Sequence, residues 1–162
     1  MSLKRFLFMP RTPLNHVLCG WAQAAAAIGD QWSILIVRDA FKGVKTFSAF
    51  QKSIGVSKGV LSRRLEHLVA SGILAKAPVG LGASHSEYSL TPKGKALLPA
   101  MLALAQWSDK WVFGEGNEPY VVVDALNQAP VPPLEVRAQD GRRVELEDLT
   151  ILPGPGCPKS EP

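Results

Sequence analysis

Apolar positions recur at helical spacing through the first two-thirds of the chain and scatter beyond it. Residues 14–28 read as a first helix. Its run of alanines, Ala24 to Ala27, combines high helix propensity with small side chains that let a neighbour approach. Gly29 stops it, and Asp30 is the expected N-cap of a second helix over 31–42, closed by Gly43. In that helix Trp32, Ile34, Leu35, Ile36, Val37, Ala40 and Phe41 cover nearly the whole circumference, the pattern of a helix inside a core; Arg38 and Asp39 are expected toward one rim. Thr46-Phe47 is expected as a short strand, and Ser48 as the cap of a helix over 49–54. Gly55-Val56 reads as a tight turn, and Ser57 as the cap of a helix over 58–71 that Gly72 ends.

Two strands, 73–77 and 85–90, flank a segment holding Gly80 and Gly82 and so predict a hairpin. Thr91-Pro92 then places a cap and a first-turn proline at the head of a long helix running to about Trp111, with Pro99 expected to kink it. Past Gly114 prolines recur, and Asp140-Gly141 joins two strand-like runs, 134–138 and 142–146. A helix-turn-helix followed by a strand pair is the winged-helix order. The predicted class is therefore mainly α with a small β-wing (α+β). The expected organisation is an irregular arm over 1–13, a winged helix-turn-helix domain with a dimerisation helix over 14–113, a Pro-rich extension with a β-hairpin over 114–152, and a disordered tail over 153–162.

Charge sharpens this picture. The total is +4, but residues 1–114 hold 14 Lys and Arg against 5 Asp and Glu, while residues 115–162 hold 4 against 9. A basic body attracts polyanions, because neutralised phosphates release counterions. On the helix over 58–71, Leu61, Leu65 and Leu68 form one apolar stripe, and the far side carries Gly59, Ser62, Arg63, Glu66 and His67. Set in a major groove, small Gly59 and Ser62 would let the backbone approach base edges, and Arg63 has the fork that reads guanine. Ser57, Lys58 and the first-turn N–H groups suit a phosphate. Arg64 lies nearer the stripe and would reach a phosphate or a carboxylate. Lys76 and His85 flank the wing, which is only weakly basic. Taken alone, an amphipathic helix with a basic rim is also the pattern of a plain solvated face.

The combination of motifs resembles the HxlR family. The resemblance rests on Cys19 with Ile28-Gly29-Asp30-Gln31-Trp32-Ser33-Ile34-Leu35-Ile36-Val37-Arg38-Asp39, and on Thr46-Phe47-Ser48-Ala49-Phe50-Gln51. It rests also on Leu61-Ser62-Arg63-Arg64-Leu65 with Leu68 and Gly72-Ile73-Leu74, and on Glu87-Tyr88-Ser89-Leu90-Thr91-Pro92-Lys93-Gly94; Leu98-Pro99 and Trp107 with Trp111 also fit. It spans roughly residues 16–113 and implies homodimeric transcription regulators that bind double-stranded DNA. Two departures stand out. Thr46, beside Lys45, occupies the place of the usual Arg, and the wing lacks the arginines of many relatives.

On the final helix Leu97, Met101, Leu104 and Trp111 form one apolar row, and Leu98, Leu102 and Ala105 another, so one can face the core and the other a second copy; the alanine-rich first helix is a second candidate surface. Cys19 opens the first helix. Some relatives use a cysteine there to sense oxidants, while a small buried residue is the plainer reading. His16 and Cys19 have no second ligand pair at usable spacing, and the tail lacks the cysteine pairs some relatives carry, so no metal and no cofactor are expected. The three histidines are scattered and no phosphate-cradling glycine loop precedes a helix, so an enzyme is not expected. No uncharged apolar stretch reaches about 18 residues, which makes the cytoplasm the expected compartment and a membrane partner unexpected. The leading expectation is a dimeric, sequence-specific DNA-binding regulator, usually a repressor. A winged-helix protein-interaction module stays open as the alternative. So does a small-molecule effector, in a pocket by Trp21, Trp32 or Trp107.

Overall fold

The computed structural model describes residues 18–80 and 85–157. Its elements are helices α1 (Gly20–Ile28), α2 (Gln31–Phe41), α3 (Phe47–Ile54) and α4 (Lys58–Ala70), strands β1 (Leu74–Pro78) and β2 (Ser86–Leu90), and helices α5 (Pro92–Lys95) and α6 (Leu98–Ser108). The strands pair antiparallel, from Leu74 opposite Leu90 to Pro78 opposite Ser86. The core lies where α2, α3, α4 and the base of this hairpin meet. Ile36, Val37, Phe50, Leu61, Leu65 and Leu68 are fully buried there, and Phe50 meets Tyr88 of β2 edge to face at 6.3 Å. Each such aliphatic side chain stabilises the fold by roughly 1.5–3 kcal/mol, and together they fix the pose of α4.

Asp30 caps α2 as expected. Its Oδ1 accepts from the N–H groups of Trp32 and Ser33, both at 3.1 Å, its Oδ2 accepts from the Ser33 hydroxyl, and Arg64 of α4 pairs with it at 3.2 Å. Partial burial works to raise the Asp30 pKa, but the Ser33 hydrogen bonds, the Arg64 guanidinium and the Trp32 N–H outweigh it and hold the carboxyl below its ordinary 3.8. A carboxyl depressed on folding contributes stability that is complete above its unfolded pKa and is lost as pH falls through the folded one. Thermal melts across acid pH should therefore show stability declining once pH drops below about 4, and Asp30→Asn should flatten that decline. An equally steep decline in Asp30→Asn would move the effect to other carboxylates.

Several expectations are corrected. α1 begins at Gly20, with Leu18 exposed and Cys19 extended at the N-cap; residues 14–17 lie outside the described set. Thr46 and Phe47 form no strand of their own. Thr46 makes a single antiparallel bridge to Glu87, the Tyr88 N–H donates to Lys45 O, and the Thr46 hydroxyl, not Ser48, caps α3. Asp39 is not at a rim but 1% exposed. Its Oδ1 takes Arg38 at 2.8 Å, and its Oδ2 has no hydrogen-bond partner among the described residues. The long last helix is interrupted at Ala96 and Leu97, and past Ser108 it continues as a π-helical turn, Asp109–Phe113. α5, capped by the Thr91 hydroxyl, ends at Lys95, and α6 restarts with Pro99 in its first turn, because a proline offers no N–H and its ring crowds the carbonyl a turn earlier. The tail hairpin does form around Gly141, but it is short: the bridge of Arg137 to Arg143 is flanked by the Ala138 N–H donating to Arg142 O and the Val144 N–H donating to Val136 O, both at 2.9 Å. An exposed turn at 154–157 follows a short helical turn at Leu146–Asp148.

Candidate nucleic-acid interface

The turn between α3 and α4 is set by Gly55, whose φ of +73° is costly for any residue with a Cβ, and by Val56, which plugs into the core. This leaves the outer face of α4 in solvent. Ser57, Lys58, Gly59 and Arg63 are exposed there, with Ser62 half-exposed beside them. A side-chain oxygen closes the N-termini of α2, α3 and α5, whereas Ser57 makes no such cap. The first-turn N–H groups of α4 thus face outward from an electropositive helix end. Arg63 lies back along its own helix, its Nε donating to Gly59 O at 3.3 Å, and Ser62 donates to Glu66 at 2.9 Å. Both bonds are exposed and can exchange for a base edge.

The structure brings together only part of the expected set. Arg64 turns to the Asp30 carboxylate, the second of its two expected partners. His67 does not share the outer face; its Nε2 meets the carbonyls of Ala26 and Ala27 at 3.1 Å, fastening α4 to the end of α1. Lys76 is exposed on β1 with its ammonium 5.8 Å from the Tyr88 ring centre, and His85 is exposed at the start of the returning limb. The wing tip, 81–84, lies outside the described residues. Sequence reasoning missed Ser48. With Thr46, Lys76, His85 and Glu87 it lines a groove between the start of α3 and the wing, and its hydroxyl is 3.4 Å from that of Thr46. Two neighbouring hydroxyl residues at a helix start carried that signal.

Of the proposed dimer residues, Leu97 and Met101 pack on the core, while Leu98, Ala105 and Trp111 are exposed and Leu102 is half-buried. Leu104 and Trp107 are also half or more exposed. Trp21 is 73% exposed, so it lines no interior pocket; the cavity beside α6 is instead formed with the extension. No group of three or more His, Cys, Asp or Glu side chains that could hold a metal occurs among the described residues, and no described helix is long and apolar enough to cross a membrane.

A helix-turn-helix whose second helix is exposed along one face, followed by an antiparallel strand pair, defines a winged helix-turn-helix protein. Residues 27–115, more than half the chain, match the HxlR-like helix-turn-helix family, and the chain belongs to that family. It is 29% identical over 134 residues to the HTH-type transcriptional regulator Rv3095 of Mycobacterium tuberculosis, covering 83% of this chain and 85% of that protein. The crystal structure of PA1607, described as a candidate transcription factor, superposes with a TM-score of 0.82 at 40% identity, over 87% of this chain and 99% of that one. Such coverage carries the likeness past residue 115 into the extension. The redox regulator HypR in its reduced form superposes with a TM-score of 0.51 at 26% identity, over 55% of this chain and 91% of that one. The protein is a transcriptional regulator with a helix-turn-helix domain.

Proposed function

We propose that the protein binds double-stranded DNA sequence-specifically as a homodimer, and acts most simply as a repressor by occupying promoter DNA. The observation that carries this reading is the exposed face of α4, where Lys58, Gly59, Ser62 and Arg63 surround a helix end without a side-chain cap. α4 enters the major groove, Arg63 reads a base, and Ser57 and Lys58 hold phosphate; Lys76 and His85 on the wing, with Ser48 and Thr46 beside it, meet the flanking backbone. A second copy joined through the outward residues of α6 places two such helices about 34–36 Å apart, one turn of DNA. A gel-shift titration on the DNA upstream of its own gene, at two salt concentrations and with competitor, tests this. A shift that survives competitor and a footprint with two-fold symmetry are expected. The affinity should fall with salt with a slope near −0.9 per phosphate neutralised. Salt-insensitive behaviour with no DNA shift would instead favour a protein-interaction module.

A second reading adds redox control. Cys19 is half-buried at the N-cap of α1, where its side chain makes no cap hydrogen bond. Two such thiols from a dimer can join as a disulfide, their two hydrogens passing to a peroxide that leaves as water. Cys19→Ser should then bind DNA like the parent yet keep that binding after peroxide treatment. Parent protein that also keeps its binding would reduce Cys19 to packing.

A further inference from the structure

His67 leaves the outer face of α4 and lines, with Ser71 and Lys93, an open groove of about 480 Å³ between α1, the end of α4 and α5. The groove's walls are apolar. Ala24, Ala27 and Ile28 come from α1, Ile73 from the base of the wing and Leu97 from just ahead of α6. Ile73 is buried, while Ile28 and Leu97 are only half-buried and would gain cover from an apolar body set between them. Lys93 is exposed, and its ammonium donates to Ser71 O at 2.8 Å. An ammonium has three N–H donors, so two remain to meet a ligand. The His67 Nε2 meets the carbonyls of Ala26 and Ala27, which accept, so that nitrogen carries the hydrogen. No described carboxylate lines the groove.

We propose that this groove binds a small aromatic monocarboxylate, and that its occupation weakens the hold of α4 on DNA. The second half rests on the DNA-binding reading above. Size is the first reason, since small-molecule sites span roughly 300–1,000 Å³ and are walled mostly by apolar side chains around a few polar groups. Charge is the second. The ammonium of Lys93 and the N–H of His67, with no described carboxylate beside them, match a single negative charge. A phosphate dianion asks for more cations than the groove holds, and an amine would meet Lys93 as a like charge. Position is the third. The walls belong to α1 on one side and to the end of α4 and α5 on the other, and the His67 bond to the Ala26 and Ala27 carbonyls spans them. A ring seated there presses on that bond, and its carboxylate draws the His67 N–H away from the carbonyls. α4 then loses a fastening to α1, and the pose of Lys58, Gly59 and Arg63 changes. Those residues lie at the opposite end of α4, so acid and DNA are coupled through the helix rather than competing for one surface.

Calorimetric titration of the full chain with 2-naphthoate at neutral pH tests the site. The acid should bind about tenfold or more tighter than the neutral 2-naphthylmethanol, the worth of a charged hydrogen bond, and the cationic 2-naphthylmethylamine should bind more weakly still. Lys93→Met keeps the apolar stem and removes the charge, so it should weaken the acid by about tenfold and leave the alcohol nearly unmoved. Ala24→Phe leaves Lys93 on Ser71 O and fills the groove, so it should weaken acid and alcohol alike. In gel shifts, saturating 2-naphthoate should then lower the parent's affinity for its operator by about fivefold or more, and should have no such effect on Ala24→Phe. Acid that fails to bind, that binds no better than the alcohol, or that binds undiminished in both variants would overturn the site. Acid that binds without changing DNA affinity would overturn its link to α4. A parent that binds 2-naphthoate but no DNA would sink the DNA-binding reading, and the link with it, and leave the acid site standing.

Discussion

Gly94→Ala is expected to destabilise the protein by about 3 kcal/mol, the upper end of the usual cost of overpacking. A Cβ built at Gly94 would sit 2.2 Å from Ile73 O and 3.2 Å from Ile73 C, both backbone atoms, and 3.0 Å from Leu90 Cδ2. Those backbone atoms cannot step aside cheaply. Ile73 O accepts from the Thr91 N–H at 3.0 Å and, with Gly72 O, from the Thr91 hydroxyl, which itself accepts from the Gly94 N–H. One small knot therefore joins the end of α4, the base of the wing and the cap of α5, and a methyl group at its centre loosens all three. At roughly 2–4 °C per kcal/mol for a chain of this length, the melting temperature should drop by about 6–12 °C. A drop under about 2 °C, on that same scale, would mean that the strand and helix can separate without consequence. The wing would then be less firmly based than the hydrogen bonds imply.

The parts of this fold that could be read from the sequence are those decided within a few residues. Asp30 and Thr91 are recognisable as caps because their side chains bond to N–H groups two or three positions on. The stripe of Leu61, Leu65 and Leu68 is fixed by helical geometry alone. What escaped was decided by distant partners. Thr46 and Ser48 are equally good caps locally, and the choice falls to Thr46, whose backbone also bridges Glu87 of the wing. His67 is placed with the groove-facing residues by helical spacing, yet the end of α1 draws it aside with two carbonyls. Asp39 reads as a surface acid until α2 is seen to be packed by α3, α4 and the wing at once. Pro99 announced a disturbance but not its form. The outcome is a two-residue interruption at Ala96 and Leu97, whose backbone stays right-handed helical, with Leu97 and Met101 still packed on the core.

Three neighbouring substitutions on α4 should separate reading DNA from holding the fold. Arg63→Ala should weaken operator binding by about 1–3 kcal/mol, roughly 5- to 150-fold, and relax the preference at one base pair. Its side chain is exposed and its one internal bond is to its own helix, so stability should stay within about 0.5 kcal/mol of the parent. Arg64→Ala should do the reverse. It releases the Asp30 carboxylate that caps α2, costing about 0.5–1 kcal/mol of stability while leaving base preference intact. Gly59→Ala is the most discriminating of the three. Its new methyl group would meet nothing within 4 Å, so replacing a helical glycine should stabilise the free protein by about 0.5–1 kcal/mol. If α4 lies in the major groove with its backbone close to the bases, that same methyl group occupies space the DNA needs, and a more stable protein will bind its operator less tightly. Parent-level affinity in Gly59→Ala, measured beside a weakened Arg63→Ala, would keep α4 as the reading helix but hold its backbone farther from the bases, with contact made only by long side chains.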